Sequence, residues 1–187
     1  MSGPSMSAAH LAALDAKLES HVEGDGIPGL VALVSRQEET HVCVCGRLAF
    51  ENASPMRRDS LFRISSMTKP VTAAATMLLV EDGALRLEDA VDRWLPELAD
   101  RRVLRRLDGP VDDTVPAKRP ITVEDLLTFR MGFGILMMEP GVYPIQKAAD
   151  ELRLGQGPPS PSVPPDPDEW MRRLGSLPLM SQPGEQW

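Results

Sequence analysis

The spacing of apolar residues changes several times along this chain, and each change marks an element. From Ser7 to about Val22, Leu11, Leu14 and Leu18 recur at three- and four-residue intervals with alanines between them. That stripe predicts an amphipathic first helix, ended by Gly24, Gly26, Pro28 and Gly29. Leu30 to Val34 is a continuous apolar run, short enough for a buried strand. Gln37 to Thr40 is a polar turn, and His41 to Leu48 resumes strand character, so the pair predicts a hairpin. Leu61 to Ser65 alternates briefly. The period then becomes helical from Met67 to Asp82, with Val71, Ala74, Ala75, Leu78 and Leu79 as the expected core stripe. Pro70 is tolerated in the first turn, where N–H groups lack intrahelical partners, and Gly83 suits the position just past the end.

The second half is more broken. Leu87 to Leu98 predicts a short helix stopped near Pro96, and Arg101 to Arg106 reads as a solvated helix face. Residues 108 to 120 are a polar connection in which Asp112 and Asp113 form no acid–base pair. Thr122 precedes Glu124 and Asp125 as a capped start for a helix from Val123 to about Arg130, with Leu126 and Leu127 inward and Gly132 after it. Residues 155 to 167 are dominated by Pro, Gly and Ser and predict an exposed, extended loop. Asp168 to Leu174 reads as one more short helix before Pro178 and Pro183-Gly184. Trp94 and Trp170 are expected as core anchors, Met131, Met137 and Met138 as gap fillers, and Tyr143 as a loop residue.

Composition narrows the function classes. The chain has 187 residues, 42% hydrophobic and 25% charged, which fits one globular domain or one with an appendage. A net charge of −7 gives no electrostatic reason to expect nucleic acid or an anionic membrane as partner. No apolar stretch reaches membrane-spanning length and no leader pattern opens the chain, so a cytoplasmic protein is the expectation. Cys43 and Cys45, two apart on one strand face, are badly placed to bond to each other. With His10, His21 and His41 scattered, no metal-ligand spacing exists and no cofactor is expected.

The candidate chemistry is Ser66-Met67-Thr68-Lys69, at the start of the long predicted helix. Three residues apart, the hydroxyl and the amine leave one face of the first turn. Ser66 could simply cap the helix, leaving Lys69 in solvent. A cation is disfavoured at the positive end of the helix dipole, by about 0.3–1 kcal/mol. That field, with partial burial, would favour a neutral amine able to take the serine proton.

The surrounding blocks make the pattern specific. Leu61-Phe62-Arg63-Ile64-Ser65-Ser66-Met67-Thr68-Lys69-Pro70, then Leu78 to Gly83, Leu85 to Asp89 and Ile121 to Thr128, resemble the β-lactamase-related serine hydrolases. These include class C β-lactamases, D,D-peptidases and carboxylesterases. Leu177-Pro178-Leu179 with Pro183-Gly184-Glu185-Gln186-Trp187 is similar to the segment leading up to that family's tyrosine motif. The resemblance implies Ser66 as acylated nucleophile, Lys69 as proton acceptor or electrostatic partner, and the Ser66 N–H as half of an oxyanion hole. Its implied substrate is a small ester, amide or β-lactam. The implied fold is α+β, of the serine β-lactamase and penicillin-binding-protein type. It would be incomplete: residues 1–65 would supply a helix and strands, and residues 66–187 the nucleophile helix and part of a helical region.

Two family elements have no counterpart. The single tyrosine, Tyr143, is followed two residues on by Ile145 rather than Asn, and no Lys-Thr-Gly or His-x-Gly motif occurs. Phe129-Arg130-Met131 stands where His-Thr-Ser is common. The expectation is therefore an N-terminal portion, whether gene fragment, truncated gene model or split protein. It would be weakly active or inactive alone, with the missing C-terminal half as its partner. The alternative is a binding or scaffolding module that keeps the fold without the chemistry.

Overall fold

The computed structural model describes residues 6–22, 26–155 and 165–187, which fall into two compact units, Met1–Arg63 and Ile64–Trp187. In the first, helix α1 (Ala8–Val22) precedes strands β1 (Gly29–Arg36), β2 (Glu39–Ala49) and β3 (Asn52–Pro55). They form an antiparallel sheet in the order β1-β2-β3. The predicted hairpin is present, with Gly29 opposite Gly46 and Arg36 opposite Glu39, turning at Gln37 with φ 54°. The predicted stop at Gly24 lies outside the described residues. Helix α1 packs on β1 and β2 through the half-buried Leu11, Leu14 and Leu18, as the periodicity expects. Gly46 is required where it stands. Its φ is +80°, and a Cβ there would collide with the Pro28 carbonyl and the Gly29 backbone.

The second unit opens with a 3₁₀ turn, Ser65–Met67, that runs into helix α2 (Thr68–Glu81). Gly83, at φ +71°, closes α2: Ala84 N–H donates to the Leu79 carbonyl and Gly83 N–H to that of Val80. Strands β4 (Arg102–Leu104) and β5 (Thr114–Pro116) form a second hairpin, and helices α3 (Val123–Leu127), α4 (Pro144–Glu151) and α5 (Pro167–Ser176) follow. The core is built from Val91, Leu98, Val103, Leu104, Ile121, Val123, Ile145, Ala149, Leu174 and Leu179, among others. Ile145 and Leu179 are fully enclosed.

Several expectations fail in this unit for identifiable reasons. Arg101 to Arg106 is not a solvated helix face. It contains β4, whose Val103 and Leu104 enter the core while Arg102, Arg105 and Arg106 face solvent. A short strand with Val103 and Leu104 both buried, flanked by the exposed Arg102, Arg105 and Arg106, imitates a charge run. Leu87 to Leu98 forms two 3₁₀ turns, Val91–Arg93 and Pro96–Leu98, and is drawn beside α3 by backbone bonds: Val91 N–H donates to the Ile121 carbonyl, and Val123 and Glu124 N–H to the Asp89 and Leu87 carbonyls. Trp94 is no core anchor: it is exposed, with the Arg93 guanidinium 4.9 Å over its ring. Trp170 and Met131 do pack against the core, whereas Met137 and Met138 are exposed. Tyr143 is the N-cap of α4, a helix whose eight residues fell below the sequence pattern's resolution. Of the predicted 155–167 loop, residues 156–164 lie outside the described residues.

The largest correction concerns α2. Its expected core stripe is uncovered: Val71 is 62% and Leu78 61% exposed, and no residue of the helix is buried. Thr68, Thr72 and Thr76 line one side of the helix, while Val71, Met77, Leu78 and Leu79 stand exposed elsewhere on it. Sequence periodicity identifies residues that favour burial; it does not supply what buries them.

Candidate active site

Ser66 sits in the 3₁₀ turn and Lys69 in the first turn of α2, so the tightening of the chain into a helix is what brings them together. Lys69 Nζ donates to Ser66 Oγ at 2.8 Å. Both side chains are exposed, so the partial burial expected of the lysine is not present. Ser66 does not cap α2: the N-cap position is Met67 and no side chain accepts there. The preceding Ser65 has φ +46°, a left-handed conformation unusual for a serine with a Cβ, and it aims the chain into the turn. No acidic residue occupies the first turn of α2. No carboxylate in that turn therefore opposes the positive helix tip, which suits a developing oxyanion.

Arranged this way, the pair can do one chemical thing well. A neutral Lys69 amine, accepting from Ser66 O–H across the same 2.8 Å, would raise the nucleophilicity of Oγ. Ile145, two residues beyond Tyr143, is completely buried in the core, so that segment offers no Tyr-x-Asn equivalent.

Two polar clusters go beyond the sequence reading, which gave Thr122 and Asp125 as a helix cap but neither the Arg119 pairing nor the Asp15–His41 contact. In the first unit, His41 Nε2 lies 2.8 Å from Asp15 Oδ1, tying α1 to β2, beside the buried Cys43. Burial, and then the nearby Asp15 carboxylate, pushes the Cys43 thiol up to about 11, so this Cys, His and Asp trio holds no thiolate nucleophile. The histidines looked scattered because Asp15 and His41 are far apart in sequence and meet only when α1 folds onto the sheet. In the second unit, Asp125 closes a capping box with Thr122 and also pairs with Arg119. Burial pushes its carboxyl up, but hydrogen bonds from Arg119 and Thr122 outweigh that and hold it below the usual carboxylate range. Among the described residues no His, Cys, Asp and Glu group could hold a metal ion. No described helix is long and apolar enough to cross a membrane.

Comparison with known proteins decides the family. The Beta-lactamase family model matches residues 14–187. This chain belongs to the Beta-lactamase family. It is 43% identical over 161 residues to the protein Rv1367c of Mycobacterium tuberculosis, covering 86% of this chain and 37% of that protein. It is 37% identical to esterase EstB of Burkholderia gladioli, covering 98% of this chain and 43% of the esterase. Among solved structures, EstCE1, described as a hydrolase with promiscuous acyltransferase activity, superposes with a TM-score of 0.72 at 26% identity. That match covers 96% of this chain and 43% of EstCE1. The fold is therefore the mixed helix-and-sheet fold of the β-lactamases and penicillin-binding proteins, and incomplete. The chain spans about two fifths of the length of these relatives, matching 37% of one and 43% of the other.

Proposed function

We propose that this chain carries the nucleophile portion of a serine acyl-transfer site acting on small esters, amides or β-lactams. The observation that carries the reading is the Lys69 Nζ to Ser66 Oγ contact of 2.8 Å at the head of α2. Membership of the Beta-lactamase family, with an esterase among its similar relatives, supports it.

The chemistry follows from the pair. Lys69, as free amine, takes the Ser66 hydroxyl proton while Oγ attacks the acyl carbon, and the C=O electrons move to oxygen. The Ser66 N–H and the helix tip face the resulting oxyanion. Collapse of the tetrahedral centre breaks the bond to the alcohol or amine, which leaves with the proton returned by Lys69. The acyl group stays on Oγ until water or another alcohol accepts it by the reverse sequence.

Turnover by this chain alone is expected to be slow. The sequence supplies neither a Tyr-x-Asn nor a Lys-Thr-Gly or His-x-Gly element, and one missing oxyanion donor costs about 2.7–4 kcal/mol. The exposed apolar sides of α2 fit a helix meant to be covered. In this reading the remainder of the fold, the C-terminal half that the relatives possess, is its partner. Incubation with a fluorophosphonate tests the proposal: intact mass should rise by one adduct, and Ser66→Ala should abolish it. An adduct retained in Ser66→Ala, or placed elsewhere, would remove the nucleophile from the account.

One observation favours a second reading. Exposure of both Ser66 and Lys69, on a helix with no buried side chain, also suits a binding module in which the pair is idle. Such a module takes up no probe at Ser66.

A further inference from the structure

The Arg119–Asp125 pair does more than its place beside a helix cap requires. Capping of α3 is already complete without the arginine: Thr122 Oγ1 accepts from Asp125 N–H at 3.3 Å, and Asp125 Oδ2 from Thr122 N–H at 2.9 Å. Arg119 adds a fork, donating from Nη1 to Oδ2 at 2.5 Å and from Nη2 to Oδ1 at 2.9 Å. Nη1 also donates to the Pro120 carbonyl at 2.9 Å, so three acceptors hold the guanidinium still. The Asp125 side chain is 6% exposed and that of Arg119 42%.

The backbone of Gly184 lies against this immobilised group. Its φ is +83°, and a Cβ there would run into Arg119 Nη2 and approach Asp125 Oδ1. An arginine tip normally gives way to a methyl, but this one is pinned. Arg130 brackets the same glycine from α3's far end. Gly184 N–H donates to the Arg130 carbonyl at 2.8 Å, the Arg130 guanidinium donates back to the Gly184 carbonyl, and Arg130 N–H donates to the Asp125 carbonyl at 2.7 Å. Lys118 completes the attachment, its N–H on Gln182 Oε1 at 2.8 Å and its Nζ on Glu185 Oε1 at 2.7 Å.

We propose that Arg119, pinned by Asp125, is a positioning residue that with Arg130 fixes the Pro183–Glu185 segment against α3. The chain then leaves Gly184 in one direction only. The use of such fixing rests on the acyl-transfer reading, in which this segment resembles the one leading to the family's tyrosine; the fixing itself does not.

Hydrogen exchange on the whole chain, read by mass spectrometry, tests it with four variants. Arg119→Gln should speed exchange in residues 182–187 by at least about tenfold, because losing the charge-assisted bonds to Asp125 removes the held guanidinium that backs the Gly184 backbone. The α3 amides should stay slow. Arg119→Lys, which keeps the charge but not the fork, should restore part of that protection; a role in packing alone would treat Lys and Gln alike. Thr122→Ala should do the reverse, loosening α3 and sparing Gly184. Gly184→Ala, which leaves the ion pair intact, should loosen the same segment as Arg119→Gln and serves if that variant does not fold. Unchanged exchange at Gly184 in Arg119→Gln or Gly184→Ala, or equal loosening of both segments by all variants, overturns the proposal. Fluorophosphonate uptake at Ser66 by the unsubstituted chain is scored separately, since its failure removes the acyl-transfer reading and leaves the positioning result standing.

Discussion

Ser66 and Lys69 meet because a 3₁₀ turn, entered through a left-handed Ser65, winds directly into α2. Neither residue is part of the core, so replacing them should leave stability within about 0.5 kcal/mol of the parent, measured by urea unfolding. Asp125 is different. Its carboxyl titrates below the ordinary range in the fold, so its contribution is complete at neutral pH. That contribution drains away as pH falls from the unfolded value through the lower folded one. Asp125→Asn should cost on the order of 2 kcal/mol at pH 7, a figure discounted because Arg119 is partly in water. The gap between variant and parent should narrow as pH falls below 3.8, the ordinary carboxyl value; a gap independent of pH would contradict the assignment. Arg101 is a second buried charge. Its guanidinium serves the carbonyls of Leu174, Gly175 and Leu177 at the end of α5, with no carboxylate in that set. Burial lowers its pKa, and the negative end of the helix supplies the compensation. Arg101→Ala should destabilise the second unit by roughly 3 kcal/mol, because those carbonyls lose a charged donor.

Among the elements, α2 and the core around Leu179 should respond oppositely to substitution. Val71→Lys or Leu78→Glu, on exposed positions, should shift the thermal midpoint little, whereas Ile145→Ala or Leu179→Ala should cost about 2–5 kcal/mol. A large loss at Val71 would show that α2 is covered. The elements also show what the chain's pattern could and could not disclose. Helix α1, the β1–β2 hairpin, the start of α3 at Thr122 and helix α5 were legible because each carries a local signal: a stripe, a polar turn, a cap. Strand β4 was not, since Val103 and Leu104 owe their burial to Leu179, a partner remote in sequence that binds Leu104 and Arg102 through its backbone. Helix α4 was missed because Pro144 and Gln146 form a start signal too short to stand out.

At the scale of the whole molecule, the candidate pair was legible and its support was not. The blocks around Ser66 resembled the β-lactamase-related family, and the family match over residues 14–187 agrees. Contacts that cross the sequence, such as Asp15 with His41 and Arg119 with the Gly184 backbone, carry no one-dimensional signature. The chain spans 43% of the length of esterase EstB. The central claim is narrower: the Lys69 amine activates Ser66. The rate of fluorophosphonate uptake as a function of pH, in the parent chain and in Lys69→Ala, tests it most directly. In the parent the rate should rise with one ionisation; Lys69→Ala should be slower by about 10²–10⁴-fold and lack that ionisation. Equal rates with the same pH dependence in the two proteins would contradict the account.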